Sequence, residues 1–250
     1  MVFNDINGKA AIVTGASHGI GKATSIGLLN QHAQVFGIDC NAATIDHENY
    51  NHYCCDLQLT EEIEKTFNSI KALVESVDYL VNVAGIDPKI SLEEGDEKHW
   101  NQIVNLNLRG YYFCIRSSLE MLKKGDGKSI VNISSINYRL GVPGRSIYSS
   151  TKAGIIGLTT GLARELGKEG IRINCISPGW VFTERQTREY FDTKDEEKNK
   201  KHLENLFSMQ SLKIKIQPDD IANHVLFLLS DSSRATTGHN LIVDGGWLLE

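Results

Sequence analysis

The chain has 250 residues, 41% hydrophobic and 23% charged, with a formal net charge of −5 at pH 7. That size allows one buried core and a single domain over residues 1–250, and the slight acidity gives no reason to expect a nucleic-acid partner. No apolar run reaches the ~18 residues of a membrane span, and MVFNDINGK lacks the cationic-then-apolar pattern of an export signal; five cysteines without a C-x-x-C pair speak against a disulfide framework or a zinc site, so a cytoplasmic protein without metal is expected.

In chain order, the apolar run AAIVT opens into Thr14-Gly15-Ala16-Ser17-His18-Gly19-Ile20-Gly21, and a helical pattern follows through Ala23, Ile26, Leu28 and Leu29. Strand, glycine turn and helix in that order suit a pyrophosphate: glycines let backbone N–H groups come close, and the helix N-terminus adds partial positive charge. A tight turn without a ligand would look the same. What speaks for a ligand is the next strand, AQVFGID, which ends in Asp39 about twenty residues on, where a carboxylate accepts hydrogen bonds from the hydroxyls of an adenosine ribose. Asp39 favours NAD over NADP, because a 2′-phosphate there would meet like charge, and Cys40 rather than an arginine follows it.

Further apolar segments, HYCCDL, YLVNVAG, SIVNIS, RINCISPG and NLIVDGG, alternate with helical stretches, as in an α/β, doubly wound parallel sheet of about seven strands with helices on both faces. Ligands on such sheets bind beyond the carboxyl ends of the strands, and Gly15, Asp39, Asp56, Ala84, Ser135 and Pro178 all lie at or just after one. Between the fourth and fifth strands, Trp100, Ile103, Val104, Leu108, Tyr112 and Ile115 have helical spacing, which suits packing on the sheet or against a second copy equally.

After the fifth strand, YSSTKAGIIGLTTGLARELGKEG reads as a helix carrying Ala153, Ile156, Leu158, Leu162 and Leu166, with Gly170 as its stop. Tyr148 and Lys152, four apart, share one face of it. Bringing a phenol from pH ~10 to ~7 takes roughly 4 kcal/mol, and an ammonium about 4 Å away supplies ~4 kcal/mol at an effective dielectric of ~20. With eight tyrosines in the chain such a pair is easily accidental; Ser135, thirteen residues upstream, and the glycine turn give it weight.

The stretch 183–218 breaks the alternation with mixed charge. It reads either as a solvated helix face or as a lid over substrate, with Leu206, Phe207 and Met209 facing inward. Polar residues flank the expected centre: Asp87 and Lys89, then Asn137 and Arg139, then Glu184, Arg185 and Gln186. Buried polar groups left unpaired cost ~1–3 kcal/mol each, so these residues suit a polyhydroxylated substrate. A surface ion pair between Arg139 and Glu184, uninformative about substrate, has nearly equal weight.

With these residues in hand, nearly the whole chain resembles the short-chain dehydrogenase/reductase family in its shorter form. The glycine motif matches Gly15, Gly19 and Gly21; an acidic residue after the third strand matches Asp56; the Asn-Asn-Ala-Gly element appears as Asn82-Val83-Ala84-Gly85, with Val83 in place of the second Asn; Pro178-Gly179 and VDGG match later elements. The resemblance implies a Rossmann-like fold and an NAD-dependent oxidoreductase. Its implied catalytic residues are Asn107, Ser135, Tyr148 and Lys152. Implied NAD contacts come from Gly15, Ser17, His18, Gly19, Ile20 and Gly21, from Asp39, Asp56, Leu57, Asn82, Ala84 and Gly85, from Tyr148 and Lys152, and from Pro178, Gly179, Val181 and Thr183. Implied substrate contacts are Asp87, Ser135, Asn137, Arg139, Tyr148, Trp180 and Glu184.

In the mechanism so implied, Tyr148 takes the hydroxyl proton while hydride leaves the same carbon, Lys152 lowers the phenol pKa and binds the nicotinamide ribose, Ser135 holds the reacting oxygen, and Asn107 positions a relay water. The strings SSINYRLGVPG and PGWVFTERQ are similar to those of family members that oxidise monosaccharides at the anomeric carbon. A sugar 1-dehydrogenase forming a lactone is therefore the leading expectation, with a 3-oxoacyl or other ketone reductase next and a non-catalytic cofactor-sensing protein third. A homotetramer follows by the same analogy.

Overall fold

A computed structural model describes residues 3–191 and 195–249. The seven strands are β1 Ala10–Thr14, β2 Gln34–Asp39, β3 Tyr50–Cys54, β4 Tyr79–Asn82, β5 Ser129–Ile133, β6 Arg172–Pro178 and β7 Asn240–Val243. They form one parallel sheet in the order β3-β2-β1-β4-β5-β6-β7, in register from Ala10 opposite Gln34 to Pro178 opposite Val243. The helices are α1 Gly19–Leu29, α2 Thr60–Lys71, α3 Glu97–Val104, α4 Gly110–Lys124, α5 Ser146–Gly167, α6 Glu184–Tyr190, α7 Glu196–Ser208 and α8 Pro218–Leu229.

The inner strands β1, β2, β4, β5 and β6 read as largely apolar runs because both of their faces are covered, while the edge strands β3 and β7 have no buried residue. Successive side chains alternate faces, so Ala11 and Val13, Val35, Val81, and Val131 and Ile133 enter one core, with Leu28 of α1 and Val225 and Leu229 of α8. Ile12, Phe36 and Ile38, Leu80 and Ile130 enter the other, with Ile63 and Phe67 of α2 and Cys114 and Met121 of α4. The chain winds outward in opposite directions from β1 and β4, and the crevice between them is where ligands of such sheets bind.

The helix expected after the fifth strand forms, and Gly170 follows it at φ +74°. Its buried face, however, is Thr151, Lys152, Ile155, Thr159 and Leu166, whereas Ala153 is exposed and Ile156 and Leu158 are half-buried. Thr159 can sit inside because its hydroxyl donates to Ile155 O at 2.8 Å. The earlier helical series also divides: Ile103 and Ile115 are buried, while Trp100 and Tyr112 are exposed. Among the described residues, no helix is long and apolar enough to cross a membrane.

Candidate active site

Gly15 takes φ +67° just after β1, and a Cβ there would lie 2.9 Å from Ala84 Cα, so the turns after β1 and β4 nearly touch. A Cβ on Gly21 would come within 2.0 Å of Gly15 O, and Gly19 has φ +52°. His18 stands at the N-cap of α1 without a side-chain cap, which leaves first-turn N–H groups open. One of them, Gly19 N, already draws an anionic oxygen, Glu184 Oε2 at 3.3 Å. At the end of β2 the Asp39 carboxylate is held by Ser17 N (3.0 Å) and Asn41 N (2.9 Å). Backbone donors at a helix N-terminus beside an oriented carboxylate fit the pyrophosphate and ribose of a dinucleotide.

Asp56 accepts from Gln58 N at 2.9 Å, with Leu57 buried next to it. Asn82 donates to Asn132 Oδ1 at 3.0 Å, yet its own Oδ1 has no partner. Val83 replaces a possible side-chain partner in this turn and offers only its backbone N–H, to Thr14 Oγ1 at 3.0 Å. Asn107 lies in a wide π-helical turn, Asn105–Arg109, between α3 and α4. Such turns recur at functional sites because they displace one residue from the helical register. The Asn107 amide is fully buried and bracketed by the loop after β4: Nδ2 donates to Ile86 O at 2.8 Å, and Ile86 N donates to Oδ1 at 2.9 Å. The same Nδ2 lies 3.4 Å from Thr151 Oγ1, tying this loop to α5.

Lys152 is buried, and its Nζ donates to Ile133 O at 2.9 Å. Nζ also stands 5.6 Å from the ring centroids of both Tyr148 and Tyr111. Ser134 donates to Lys152 O at 2.7 Å and is structural, while Ser135 accepts from Asn137 N at 3.2 Å and is close enough to Tyr148 to favour its ionised form. Burial pulls the Lys152 ammonium down to about 8, against the opposing pull of Cys175 and Asp87.

Burial also pushes the Tyr148 phenol up to about 12, and Asp87 adds to the rise; Ser135, Arg145 and Arg185 work against it. This corrects the expectation of an acidified phenol in the ligand-free chain. The ammonium is tethered to the Ile133 carbonyl beside the Tyr148 ring, and desolvation of the phenolate outweighs the favourable charges.

Asp87 ties the start of α5 to α6. Its Oδ2 is 3.3 Å from Arg145 Nη1, and its Oδ1 pairs with Arg185 of α6. Arg145 Nη2 donates to Tyr190 Oη at 3.4 Å, and the Tyr190 ring meets Trp180 edge-on at 4.9 Å. Val181 bridges to Ile216, Gly179 N donates to Val243 O at 2.9 Å, and Thr183 caps α6 by accepting from Gln186 N at 3.3 Å. Of the three residues expected to face inward, Leu206 is buried, Phe207 is half-buried and Met209 is 45% exposed at the C-terminal end of α7. Residues 192–194 of the charged run lie outside the described residues. Glu184 turns to Gly19, Arg139 is exposed, and Asn137 is half-buried.

Arg145, Tyr190 and Thr151 are the residues the sequence reasoning missed; the available signal for Arg145 was its place three residues before Tyr148, on the same side of a helix. Among the described residues, six buried side-chain polar atoms have no hydrogen-bond partner, and three of them, Arg145 Nη1, Trp180 Nε1 and Gln186 Oε1, belong to this cluster and the segment beside it.

A family model described as enoyl-(acyl carrier protein) reductase matches residues 15–248. Fold and match together define an oxidoreductase that works with a nicotinamide coenzyme on CH–OH groups. The chain belongs to the short-chain dehydrogenase/reductase family. It is 34% identical over 255 residues to D-xylose 1-dehydrogenase of Caulobacter vibrioides, covering 98% of both chains. It is 32% identical over 249 residues to the 3-oxoacyl-[acyl-carrier-protein] reductase FabG of Staphylococcus epidermidis, covering 95% of this chain and 98% of that one. The ligand-free aldohexose dehydrogenase of Thermoplasma acidophilum superposes with a TM-score of 0.91 at 28% identity, covering 98% of this chain and 96% of that one.

Proposed function

We propose that the protein is an NAD-dependent aldose 1-dehydrogenase, oxidising the anomeric hydroxyl of a monosaccharide to a lactone. The observation that carries this reading is the polar shell over Tyr148: Asp87, Arg145 and Arg185 pair there, where a long acyl or steroid substrate would need apolar walls. The two sugar dehydrogenases among the similar proteins support it.

NAD, when bound, supplies the acceptor for the hydride that leaves C1. Tyr148 takes the C1 hydroxyl proton, so the products are lactone, reduced coenzyme and one proton passed on to solvent. Ser135 donates to the reacting oxygen and holds it against Tyr148. Lys152, whose Nζ stands 5.6 Å from the centre of the Tyr148 ring, steadies the negative charge that Tyr148 must take on to accept the proton, together with Arg145 and Arg185. Asn107 keeps the loop after β4 in place against α5. Asp39 supports NAD over NADP by its charge.

On this reading the described parts of the charged segment, 183–191 and 195–218, form a lid hinged at Val181, and Trp180 packs beside the sugar. The protein is read as a cytoplasmic homotetramer, a view supported by the apolar groove of Val104, Leu108, Tyr112 and Leu158 together with the family's habit of pairing these helices.

A 3-oxoacyl reductase is the second reading, favoured by the Staphylococcus relative. Incubation with NAD and a panel of aldoses, polyols and secondary alcohols, followed by NADH absorbance, separates the two. Turnover of aldoses supports the proposal; activity confined to ketones with NADPH rejects it.

A further inference from the structure

Arg145 is 8% exposed and is the N-cap residue of α5, three residues before Tyr148, with its charge close enough to favour the ionised phenol. Its guanidinium is fixed from two sides, by Tyr190 Oη on Nη2 and by Asp87 near Nη1. Asp87 Oδ2 is 3.3 Å away but off the line of the N–H bonds, so Nη1 is buried without a hydrogen-bond acceptor. Across the Tyr190 ring, Trp180 Nε1 is a second buried donor without a partner. Buried donors held in place without hydrogen-bond acceptors call for oxygen acceptors from a ligand.

Local charge decides what kind of oxygen this is. Arg145 and Arg185 are matched by Asp87 and by Glu189, whose carboxylate lies 3.5 Å from Arg185. These two guanidiniums are already paired with carboxylates and do not themselves call for a carboxylate or phosphate, whereas a neutral hydroxyl needs only a donor.

We infer that Arg145 is a specificity-determining residue that donates through Nη1 to the hydroxyl on the carbon next to the one oxidised, selecting vicinal-hydroxyl substrates over deoxy, hydroxy-acid and simple secondary alcohol substrates. The inference rests on the aldose reading and deepens it: Tyr148 and Ser135 take the C1 oxygen, and the guanidinium takes the C2 oxygen. Asp87 is then a positioning residue that fixes the guanidinium.

The test compares kcat/KM for the best aldose of the panel and its 2-deoxy counterpart, in the wild type, Arg145→Gln and Arg145→Lys. NADH affinity by fluorescence and the thermal midpoint identify folded variants, and Arg145→Lys keeps a cation against Asp87 should Arg145→Gln not fold. A hydrogen bond from a charged donor is worth ~10- to 100-fold, so the wild type is expected to prefer the parent aldose by that factor. In the folded variants the preference falls to within about threefold of parity, with most of the loss on the parent sugar, because the deoxy substrate never made the contact.

Three results overturn the inference alone while aldoses are still oxidised: no wild-type preference, an unchanged preference in a variant that binds NADH, or equal losses on both sugars. A wild type that oxidises a 3-hydroxy acid and no aldose overturns the aldose reading and the inference with it.

Discussion

Lys152 Nζ donates to the carbonyl oxygen of Ile133 at 2.9 Å, which places a buried ammonium at the C-terminal edge of β5, 5.6 Å from the centre of the Tyr148 ring. Its folded-state pKa of about 8 lies below its ordinary 10.5. Between those values the unfolded chain holds a proton that the folded chain has lost, so this group makes stability rise with pH across that window and contributes no slope below it. In Lys152→Met the slope disappears. Thermal midpoints at pH 7.5 and 9.5, wild type against variant, should differ in their pH response by the equivalent of ~1–3 kcal/mol. Parallel responses would show that the ammonium titrates normally.

Asn107 holds both the carbonyl and the N–H of Ile86. Asn107→Ala leaves two part-buried backbone groups of Ile86 without their side-chain partner, each worth up to ~1–3 kcal/mol when unpaired. Urea unfolding should report a loss of ~2–4 kcal/mol, with kcat falling along with it. A variant as stable as the wild type would mean that this loop is held by other contacts.

On the proposed reading, Asp39 carries a preference for NAD over NADP. The wild type should use NAD at least ~10-fold better than NADP in kcat/KM, and Asp39→Ala should lose ~10- to 100-fold with NAD while changing little with NADP, since a carboxylate accepting from a hydroxyl is worth ~1.5–3 kcal/mol. Equal use of both coenzymes by the wild type would remove the electrostatic argument.

Much of this architecture was legible in the chain. The AAIVT run, the glycine turn and the strand ending in Asp39 specify β1, α1 and β2 directly, because parallel strands covered on both faces read as unbroken apolar runs. What periodicity could not show is which face of α5 is buried, since Thr151 and Thr159 enter the protein by hydrogen-bonding within their own helix.

The π-helical turn at Asn105–Arg109 was equally invisible, because one residue of added register leaves no mark in apolar spacing. Tyr148 and Lys152 were found by their spacing, but the direction of the phenol pKa was not: it depends on burial and on where Nζ is tethered, and both are tertiary facts. Arg145 was passed over because a lone arginine before a helix usually faces solvent; only packing against Asp87 and Tyr190 makes it part of the site.

The central claim is that the Tyr148 hydroxyl exchanges the proton with substrate. Tyr148→Phe removes that one oxygen and leaves the ring beside Lys152, so turnover should fall by ~10²–10⁴-fold while NADH affinity stays within about threefold. A Phe variant that oxidises its substrate at the wild-type rate would contradict the account.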